Sequence, residues 1–177
     1  MPVNLTDRGS MNRNVYVVMG VAGSGKSTVG ASLAHALGVD FVEGDEYHSR
    51  ENVRRMAAGT PLTDADRADW LHALAGRIRE ARDSRTGLVL TCSALKRSYR
   101  DVLREADPQL RFVYLKGSES LIARRIAERR GHFMPASLLT SQLAILEEPS
   151  ADEHAVVCDI DDPAQSIVDA IVAGAVT

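Results

Sequence analysis

The residues with the clearest chemical potential form one short stretch, Gly20-Val21-Ala22-Gly23-Ser24-Gly25-Lys26-Ser27, followed by Thr28. This stretch fills every fixed position of the phosphate-loop pattern G-x-x-x-x-G-K-[ST]. Backbone N–H groups of such a loop surround phosphate groups, because glycine lets the chain turn and approach them closely. Lys26 can reach the outer phosphates, and the Ser27 hydroxyl can ligate Mg²⁺. The pattern therefore predicts that residues 20–28 bind a nucleoside triphosphate.

The loop lies between a predicted strand and a predicted helix, which is the context that the pattern requires. Residues 15–19 are apolar and rich in β-branched side chains, as is typical of a buried strand. After the loop, Val29, Leu33 and Leu37 recur at helical spacing. A helix that begins here adds unpaired N–H groups and the positive end of its dipole. This context argues against the alternative, a glycine-rich turn without a ligand.

Strands and helices are predicted to alternate along the rest of the chain. Further strands are predicted at 39–42, 88–92, 112–115 and 155–158, and helices at 49–58 and 98–106. Three more helices are predicted, one that begins at a Thr63–Asp66 capping box, one that begins after Ser118 and one that ends at about Glu147. A last helix is predicted to have Pro163 in its first position. Alternation of this kind predicts an α/β fold whose parallel sheet has helices on both faces. Ligands of such sheets bind at the carboxyl ends of the strands. The phosphate loop and residues 43–45, 93–96 and 161–163 are therefore expected to share one rim.

Length and composition limit the class of protein. The chain has 177 residues, 45% of them hydrophobic and 25% charged, which fits one domain at residues 15–177 after a polar tail, residues 1–14, predicted to be disordered. A net charge of −3 argues against nucleic-acid and membrane-surface partners. Cys92 and Cys158 lack C-x-x-C partners and are predicted to be reduced, buried thiols. Without an apolar run of membrane-spanning length or a secretion signal, we expect a cytoplasmic protein.

Two motifs that the sequence lacks and two features that it has favour a small kinase among phosphate-loop proteins. The third predicted strand ends in Thr91-Cys92-Ser93, without the carboxylate that holds Mg²⁺ in many large ATPases, and no guanine-specifying Asn-Lys-x-Asp is present. A carboxylate follows the second strand, supplied by Glu43 and Asp45. An arginine-rich segment, residues 124–130, comes late in the chain before a break at Gly131 and is predicted to be a lid over the nucleotide.

Several blocks of this sequence resemble gluconate kinases (gluconokinases), small P-loop kinases related to shikimate kinase. The blocks are Glu43-Gly44-Asp45 with His48, 52–56, 59–64 with Asp66-Arg67 and Trp70-Leu71, 92–96 with Tyr99-Arg100-Asp101, and 130–134 with Leu138-Leu139, Ser141-Gln142 and Leu146-Glu147. The resemblance covers about residues 15–172.

This resemblance implies a function and a fold. It implies transfer of the γ-phosphate of ATP to the 6-hydroxyl of D-gluconate, which feeds the pentose phosphate pathway. The implied fold has the strand order 2-3-1-4-5 and a small helical lid at about residues 124–142. Members of the family are often dimers, so the resemblance also allows a homodimer.

The predicted catalytic residues are Lys26, Asp45 and Arg130. Asp45 is expected to orient the attacking hydroxyl and accept its proton, although an Asp in such a loop is also a common turn or cap residue. By resemblance, Arg130 neutralises charge on the transferring phosphoryl group, and Glu43 lies near the Mg²⁺ that Ser27 ligates. Resemblance also places Arg124 against adenine, opposite Pro163. On that reading, Arg125 and Arg129 point elsewhere on the helix, and one or both of them are structural.

Binding of gluconate needs a cation for its carboxylate and hydrogen-bonding groups for its hydroxyls. Arg67 and Lys96 are the expected cations, and the expected polyol contacts are His48, Ser93, His132 and Gln142. Arg67 matches the arginine that grips the substrate carboxylate in related shikimate kinases. A surface arginine near Asp64 and Asp69 is the structural alternative for Arg67, and a loop or helix contact is the alternative for the histidines and Gln142.

Two other functions stay open at this point. One is a kinase for another small acid or for a nucleotide, which the Asp45–His48 and Ser93–Lys96 blocks disfavour. The other is a nucleotide-binding regulatory protein without transfer activity. The presence of Lys26, a base at Asp45 and lid arginines together argues against that second function, since a sensor needs no base.

Overall fold

Strands and helices alternate through the computed structural model, which describes residues 14–129 and 135–174. The strands are β1 (Val15–Met19), β2 (Asp40–Val42), β3 (Leu88–Thr91), β4 (Arg111–Lys116) and β5 (Val156–Asp159). The helices are α1 (Lys26–Leu37), α2 (Arg50–Ala57), α3 (Asp64–Ser84), α4 (Arg97–Ala106), α5 (Glu119–Glu128), α6 (Ala136–Ile145) and α7 (Ala164–Val172). Short 3₁₀ turns occupy Gly44–Tyr47 and Ala151–Glu153. The strand bounds lie within about one residue of those predicted from hydrophobic patterning.

The strands form one parallel sheet in the order β2-β3-β1-β4-β5. Central strand β1 is buried at every residue, and its Val17 pairs with Leu90 of β3 on one side and Phe112 of β4 on the other. A strand buried along its whole length needs cover on both faces of the sheet, because successive side chains point to opposite faces. The predicted α/β class and strand order are confirmed.

Two pairs of helices pack together, α1 with α7 and α3 with α4. Each pair contributes fully buried side chains to the core, among them Leu33 of α1, Ile78 of α3 and Leu103 of α4. Burying a leucine or isoleucine stabilises the fold by roughly 1.5–3 kcal/mol each. None of the helices in the described ranges is both long and apolar enough to cross a membrane.

Helix starts follow local side-chain chemistry, with one correction. The Asp66 N–H donates to the Thr63 hydroxyl at 3.2 Å, and the Thr63 N–H donates to the Asp66 carboxylate at 2.9 Å, which confirms the predicted capping box of α3. Pro163, however, is not the first helical residue of α7. Its ψ of 142° is extended, so Pro163 precedes the helix as the cap and α7 begins at Ala164.

Both cysteines are buried free thiols, as the sequence predicts. Burial raises the pKa of the Cys92 thiol to about 12 and that of the Cys158 thiol to about 11. At neutral pH both side chains therefore stay protonated and act as small apolar core residues.

Candidate active site

The carboxyl ends of three neighbouring strands, β2, β3 and β1, hold the predicted functional loops. The phosphate loop follows β1, Glu43 and Asp45 follow β2, and Ser93 follows β3. Backbone hydrogen bonds join two of these loops, since the Gly20 N–H donates to the Ser93 carbonyl at 3.4 Å. The parallel sheet thereby brings together residues that are up to about seventy positions apart in the chain.

Glycine is required in the phosphate loop for both conformation and packing. Gly23 has a φ of +80°, in the left-handed region that favours glycine, and a Cβ there would lie 2.6 Å from Ile126 of α5. Gly44, after β2, lies so close to β3 that a Cβ would be 1.8 Å from the Thr91 carbonyl oxygen. The first close approach lets α5 pack against the phosphate loop, and the second lets the Glu43–Asp45 loop pack against β3.

Lys26 begins α1 and reaches back across the loop. Its Nζ donates to the Val21 carbonyl oxygen at 3.0 Å. Burial lowers the pKa of the Lys26 ammonium, although the charge of Asp45 acts to raise it. A buried cation on a flexible stem is suited to phosphate oxygens, which offer it more charge than a carbonyl does.

Glu43 forms an oxygen-rich corner beside the loop. The Ser27 hydroxyl donates to one carboxylate oxygen of Glu43, and the Thr91 hydroxyl donates to the other. The Gly44 N–H in turn donates to Thr91 Oγ1 at 3.0 Å. The sequence pointed to Ser27 and Glu43 but missed Thr91, whose position at the end of β3 was the available signal. A carboxylate and a hydroxyl side by side fit Mg²⁺, which takes few protein ligands and completes its shell with phosphates and water.

A cavity of about 430 Å³ opens beside Lys26, and we call it the acceptor cavity. Its polar lining consists of Lys26, Asp45, Glu46, His48, Arg67, Ser93 and Gln142. Its apolar lining comes mainly from α2 and α6, with Val53, Met56, Ala57, Leu62, Pro135 and Leu138. The volume and the mixture of apolar walls with a few convergent charges are typical of small-molecule sites.

Arg67 lies in the acceptor cavity and is buried, with 7% of its surface exposed. Its Nη1 donates to the Leu62 carbonyl at 2.6 Å and to the Tyr99 hydroxyl at 3.3 Å. The alternative that Arg67 is a surface arginine is therefore wrong. A guanidinium has five N–H donors, so these two bonds leave donors for an anionic ligand.

His48 also faces the acceptor cavity, and it stacks on Trp70 with ring centroids 4.1 Å apart. Trp70 is fixed in turn, because its Nε1 donates to the Gly44 carbonyl at 2.8 Å. Burial lowers the pKa of His48, and Arg67 lowers it further while Asp45 raises it. Its Nδ1 is buried and has no hydrogen-bond partner among the described residues. A ligand hydroxyl would satisfy that nitrogen.

Two expected gluconate contacts have protein partners. The Lys96 ammonium lies 3.0 and 3.2 Å from the carboxylate oxygens of Asp64 and is absent from the described lining of the acceptor cavity. This pairing raises the pKa of Lys96. Gln142 does line the cavity, and its Oε1 accepts the Ala22 N–H of the phosphate loop at 2.8 Å. A role for Lys96 in substrate binding stays a prediction. Gln142 connects the acceptor cavity to the phosphate loop.

A second cavity, of about 370 Å³, adjoins another part of the phosphate loop, and we call it the base cavity. It is lined by Ser24, Gly25, Thr28, Val29, Arg125, Arg129, Ile160, Asp161, Asp162, Pro163, Ala164 and Ile167. Its place beside the loop and the Pro163 turn suits the base and ribose of a nucleotide.

The arginines of this cavity differ from those expected. Arg125 and Arg129 line the base cavity rather than pointing away from it. Arg125 Nη2 also donates to the Ile160 carbonyl at 2.6 Å, which agrees with a structural role for this arginine. Arg124 is exposed and does not line this cavity in the described structure. The buried residues Leu121 and Ile122 explain the difference, since Arg125 follows them at helical i+4 and i+3 spacing.

Two further expectations, Arg130 as a catalytic residue and His132 as a substrate contact, lie outside the described residues. The same is true of the part of the predicted lid at 130–134. Both roles stay predictions.

Comparisons with known proteins agree with this geometry. A family model described as an AAA domain matches residues 15–149. A thermoresistant gluconokinase of Escherichia coli is 45% identical over 158 residues, which cover 89% of this chain and 90% of that protein. A gluconokinase of Gluconobacter oxydans is 54% identical over 79% of each chain. The crystal structure of a gluconokinase from Sinorhizobium meliloti superposes with a TM-score of 0.84 at 50% identity and covers 93% of both chains.

A parallel sheet in the order 2-3-1-4-5, with a phosphate loop after its central strand and a cavity beside each end of that loop, defines a small P-loop kinase. The identities of 45–54% over most of the chain narrow the class further. The chain belongs to the gluconokinase family.

Proposed function

We propose that this chain transfers the γ-phosphate of ATP to the 6-hydroxyl of D-gluconate, producing 6-phosphogluconate and ADP. The observation that carries the proposal is the acceptor cavity, in which the phosphate-loop lysine and Asp45 share one space with the buried Arg67. Membership of the gluconokinase family supports it, since relatives at 45% and 54% identity are named gluconokinases.

The charges of the acceptor cavity suit one orientation of gluconate. The carboxylate at C1 pairs with Arg67 through charge-assisted hydrogen bonds. The terminal hydroxyl at C6, at the other end of the molecule, then lies toward Asp45 and Lys26. Both charges act on His48, since Asp45 raises its pKa and Arg67 lowers it. His48, Ser93 and Gln142 supply hydrogen bonds to the hydroxyls between the two ends.

The reaction then needs positioning and charge neutralisation more than covalent help. The O6 oxygen forms a bond to the γ-phosphorus while the bond from that phosphorus to the bridging β–γ oxygen breaks, and ADP leaves. Asp45 accepts the proton of the hydroxyl. Lys26 neutralises charge on the phosphate oxygens, to which it turns from the Val21 carbonyl.

Ser27 and Glu43 are the residues that would hold Mg²⁺, which supplies charge neutralisation on the phosphates. Thr91 orients the Glu43 carboxylate from the far side. In the base cavity, Pro163 and Arg125 would contact the base. We infer an ATP site there, with Thr28 and Gly25 at its phosphate end.

A coupled assay of ADP release with Mg-ATP tests the proposal. The acceptors are D-gluconate, shikimate and AMP, with a reaction lacking acceptor as the control. We expect turnover with gluconate alone. Turnover with shikimate or AMP instead would contradict the assignment of the acceptor cavity. ATP binding without ADP release would favour a nucleotide-binding protein that transfers nothing.

A further inference from the structure

We propose that Arg100 is a positioning residue for the acceptor site: together with Glu153 it holds the turn at Ala94 in the conformation that presents Ser93 to the acceptor cavity. Neither Arg100 nor Glu153 lines either cavity among the described residues. The inference rests on the proposed function, because its effect is on binding of the acceptor.

The turn at Ala94 needs outside support. Ala94 has a φ of +46°, a left-handed conformation that side chains with a Cβ rarely adopt, and it is completely buried. Backbone strain of this kind persists only where the surroundings over-determine it, and it concentrates near functional sites. Ala94 immediately follows Ser93, which lines the acceptor cavity.

Arg100 supplies that support from one turn into α4. Its side chain is 0% exposed, and its Nη1 donates to the Ala94 carbonyl at 2.8 Å. Its Nε and Nη2 donate to the two oxygens of Glu153 at 2.6 and 2.8 Å. Because the guanidinium is a rigid plane, the bidentate pair with Glu153 fixes the direction in which the third donor meets the Ala94 carbonyl.

Glu153 is itself anchored outside the turn. Its carboxylate accepts the Ser150 N–H at 3.2 Å and Arg104 Nη2 at 2.8 Å. The hydrogen bond from Arg100, aided by Arg104, lowers the pKa of Glu153 to about 2, so the carboxylate is ionised at neutral pH. We call the pair of Arg100 and Glu153 the clamp, and Glu153 anchors this clamp to the chain that follows α6.

The residues on either side of Ala94 form backbone hydrogen bonds to the phosphate loop and to the chain that follows α6. Toward the N-terminus, the Ser93 carbonyl accepts the Gly20 N–H of the phosphate loop at 3.4 Å. Toward the C-terminus, the Leu95 carbonyl accepts the Glu147 N–H at 2.7 Å. If the Ala94 carbonyl were released, the turn would relax toward an extended conformation and carry Ser93 out of position.

Arg100→Lys tests the clamp. Lysine keeps the buried positive charge for Glu153 but cannot hold three acceptors in one rigid plane. We expect the KM for gluconate to rise about tenfold, the effect of one lost buried hydrogen bond, while the KM for ATP changes less than about twofold. Arg104→Lys is the matched control, because Arg104 contacts the same carboxylate but not Ala94. Its gluconate KM should stay within about twofold of the wild-type value.

Ala94→Gly in the Arg100→Lys background separates positioning from general loosening. Glycine adopts the left-handed conformation without strain, so the turn no longer depends on Arg100. We expect the gluconate KM of the double variant to return to within about threefold of the wild-type value. If Arg100 only stabilised the fold, the added glycine would lower the melting temperature further and would not restore the KM.

An unchanged gluconate KM in Arg100→Lys, or no rescue by Ala94→Gly, would overturn the inference. If circular dichroism shows that Arg100→Lys does not fold, Glu153→Gln is used in the same test. This substitution keeps the size of the side chain but weakens the pairing with Arg100. The wild-type protein is assayed first. Absence of gluconate turnover in the wild-type protein would contradict the proposed function itself. An active wild-type protein whose gluconate KM is unchanged by Arg100→Lys would contradict only the role of the clamp.

Discussion

The acceptor cavity and the base cavity share the phosphate loop and are similar in volume, about 430 and 370 Å³, yet they are built differently. Ala22 and Lys26 line the first, whereas Ser24, Gly25 and Thr28 line the second. In the acceptor cavity Arg67 is buried, Lys26 is half-buried and Asp45 is exposed. The arginines of the base cavity are half-buried or exposed, and its lining also includes the acidic residues Asp161 and Asp162.

This difference predicts where substitutions matter most. Charges in a buried site interact more strongly than exposed charges, which water and salt screen. Side chains of the acceptor cavity should therefore determine rate and acceptor choice. The base cavity, whose arginines are more exposed than Arg67, should tolerate substitution with smaller losses.

The largest effect is expected at Asp45. Asp45→Asn removes the proton acceptor while keeping the shape of the side chain, and kcat should fall by roughly 10²–10⁴-fold. ATP binding, measured by calorimetry, should stay within about twofold of wild type, because the variant keeps the phosphate loop. Glu46→Gln, at the neighbouring carboxylate, is the control and should lose far less. Full activity in Asp45→Asn would remove the base from the mechanism.

Arg67 is expected to give the next largest effect. Arg67→Met removes one of the two cations in the described lining of the acceptor cavity and should raise the gluconate KM by about 10–100-fold, the value of a charge-assisted hydrogen bond. The KM for ATP should change little. Tyr99→Phe, which removes only the hydroxyl that Arg67 donates to, controls for altered packing and should shift the gluconate KM by less than about threefold. Equal changes in both KM values would show that the two cavities are not separate.

Arg125 tests the base cavity with a smaller effect. Arg125→Ala should raise the KM for ATP by about 3–10-fold and leave the gluconate KM unchanged, because the side chain is only half-buried. Arg124→Ala, one residue away and outside the cavity lining, should alter neither KM. If Arg124→Ala had the larger effect, the base cavity would be assigned to the wrong side of α5.

The smallest effect concerns the pH dependence of stability. Burial holds the pKa of His48 below its usual 6.5, so the unfolded chain binds the proton more readily than the folded protein does. The stability that neutral His48 contributes is therefore fully present above about pH 6.5 and is lost as the pH falls through its lower folded-state pKa. Urea unfolding at several pH values should show a shallower acid decline for His48→Gln than for wild type. His35→Gln, at an exposed position, should follow the wild-type curve, and an identical decline in His48→Gln would refute the prediction.

The two halves of the site were not equally predictable from sequence. The phosphate loop is contiguous, and its pattern together with a strand before it and a helix after it specified the position of Lys26. Glu43 and Ser93 could be placed because both follow strands, and parallel strands bring their carboxyl ends to one edge. Local chemistry and sheet topology were sufficient there.

Tertiary contacts, which a sequence pattern does not show, determine the positions of the other side chains of the site. Arg67 is buried because the Leu62 carbonyl and the Tyr99 hydroxyl accept its donors, and neither contact is visible in a helical pattern. Lys96 pairs with Asp64, thirty-two residues away in the chain. Arg124 and Arg125 differ by a rotation of about 100° on α5, and the buried residues Leu121 and Ile122 were the signal that Arg125 rather than Arg124 lines the base cavity.

The position of the phosphate on the product tests the central claim most directly. If Arg67 anchors the carboxylate at one end of the acceptor cavity and Asp45 activates the hydroxyl at the other, wild-type enzyme with Mg-ATP and D-gluconate must give a single product. Phosphorus and carbon NMR of that product should place the phosphate on C6 alone. Phosphate on another carbon, or a mixture of positional isomers, would contradict this orientation of the acceptor.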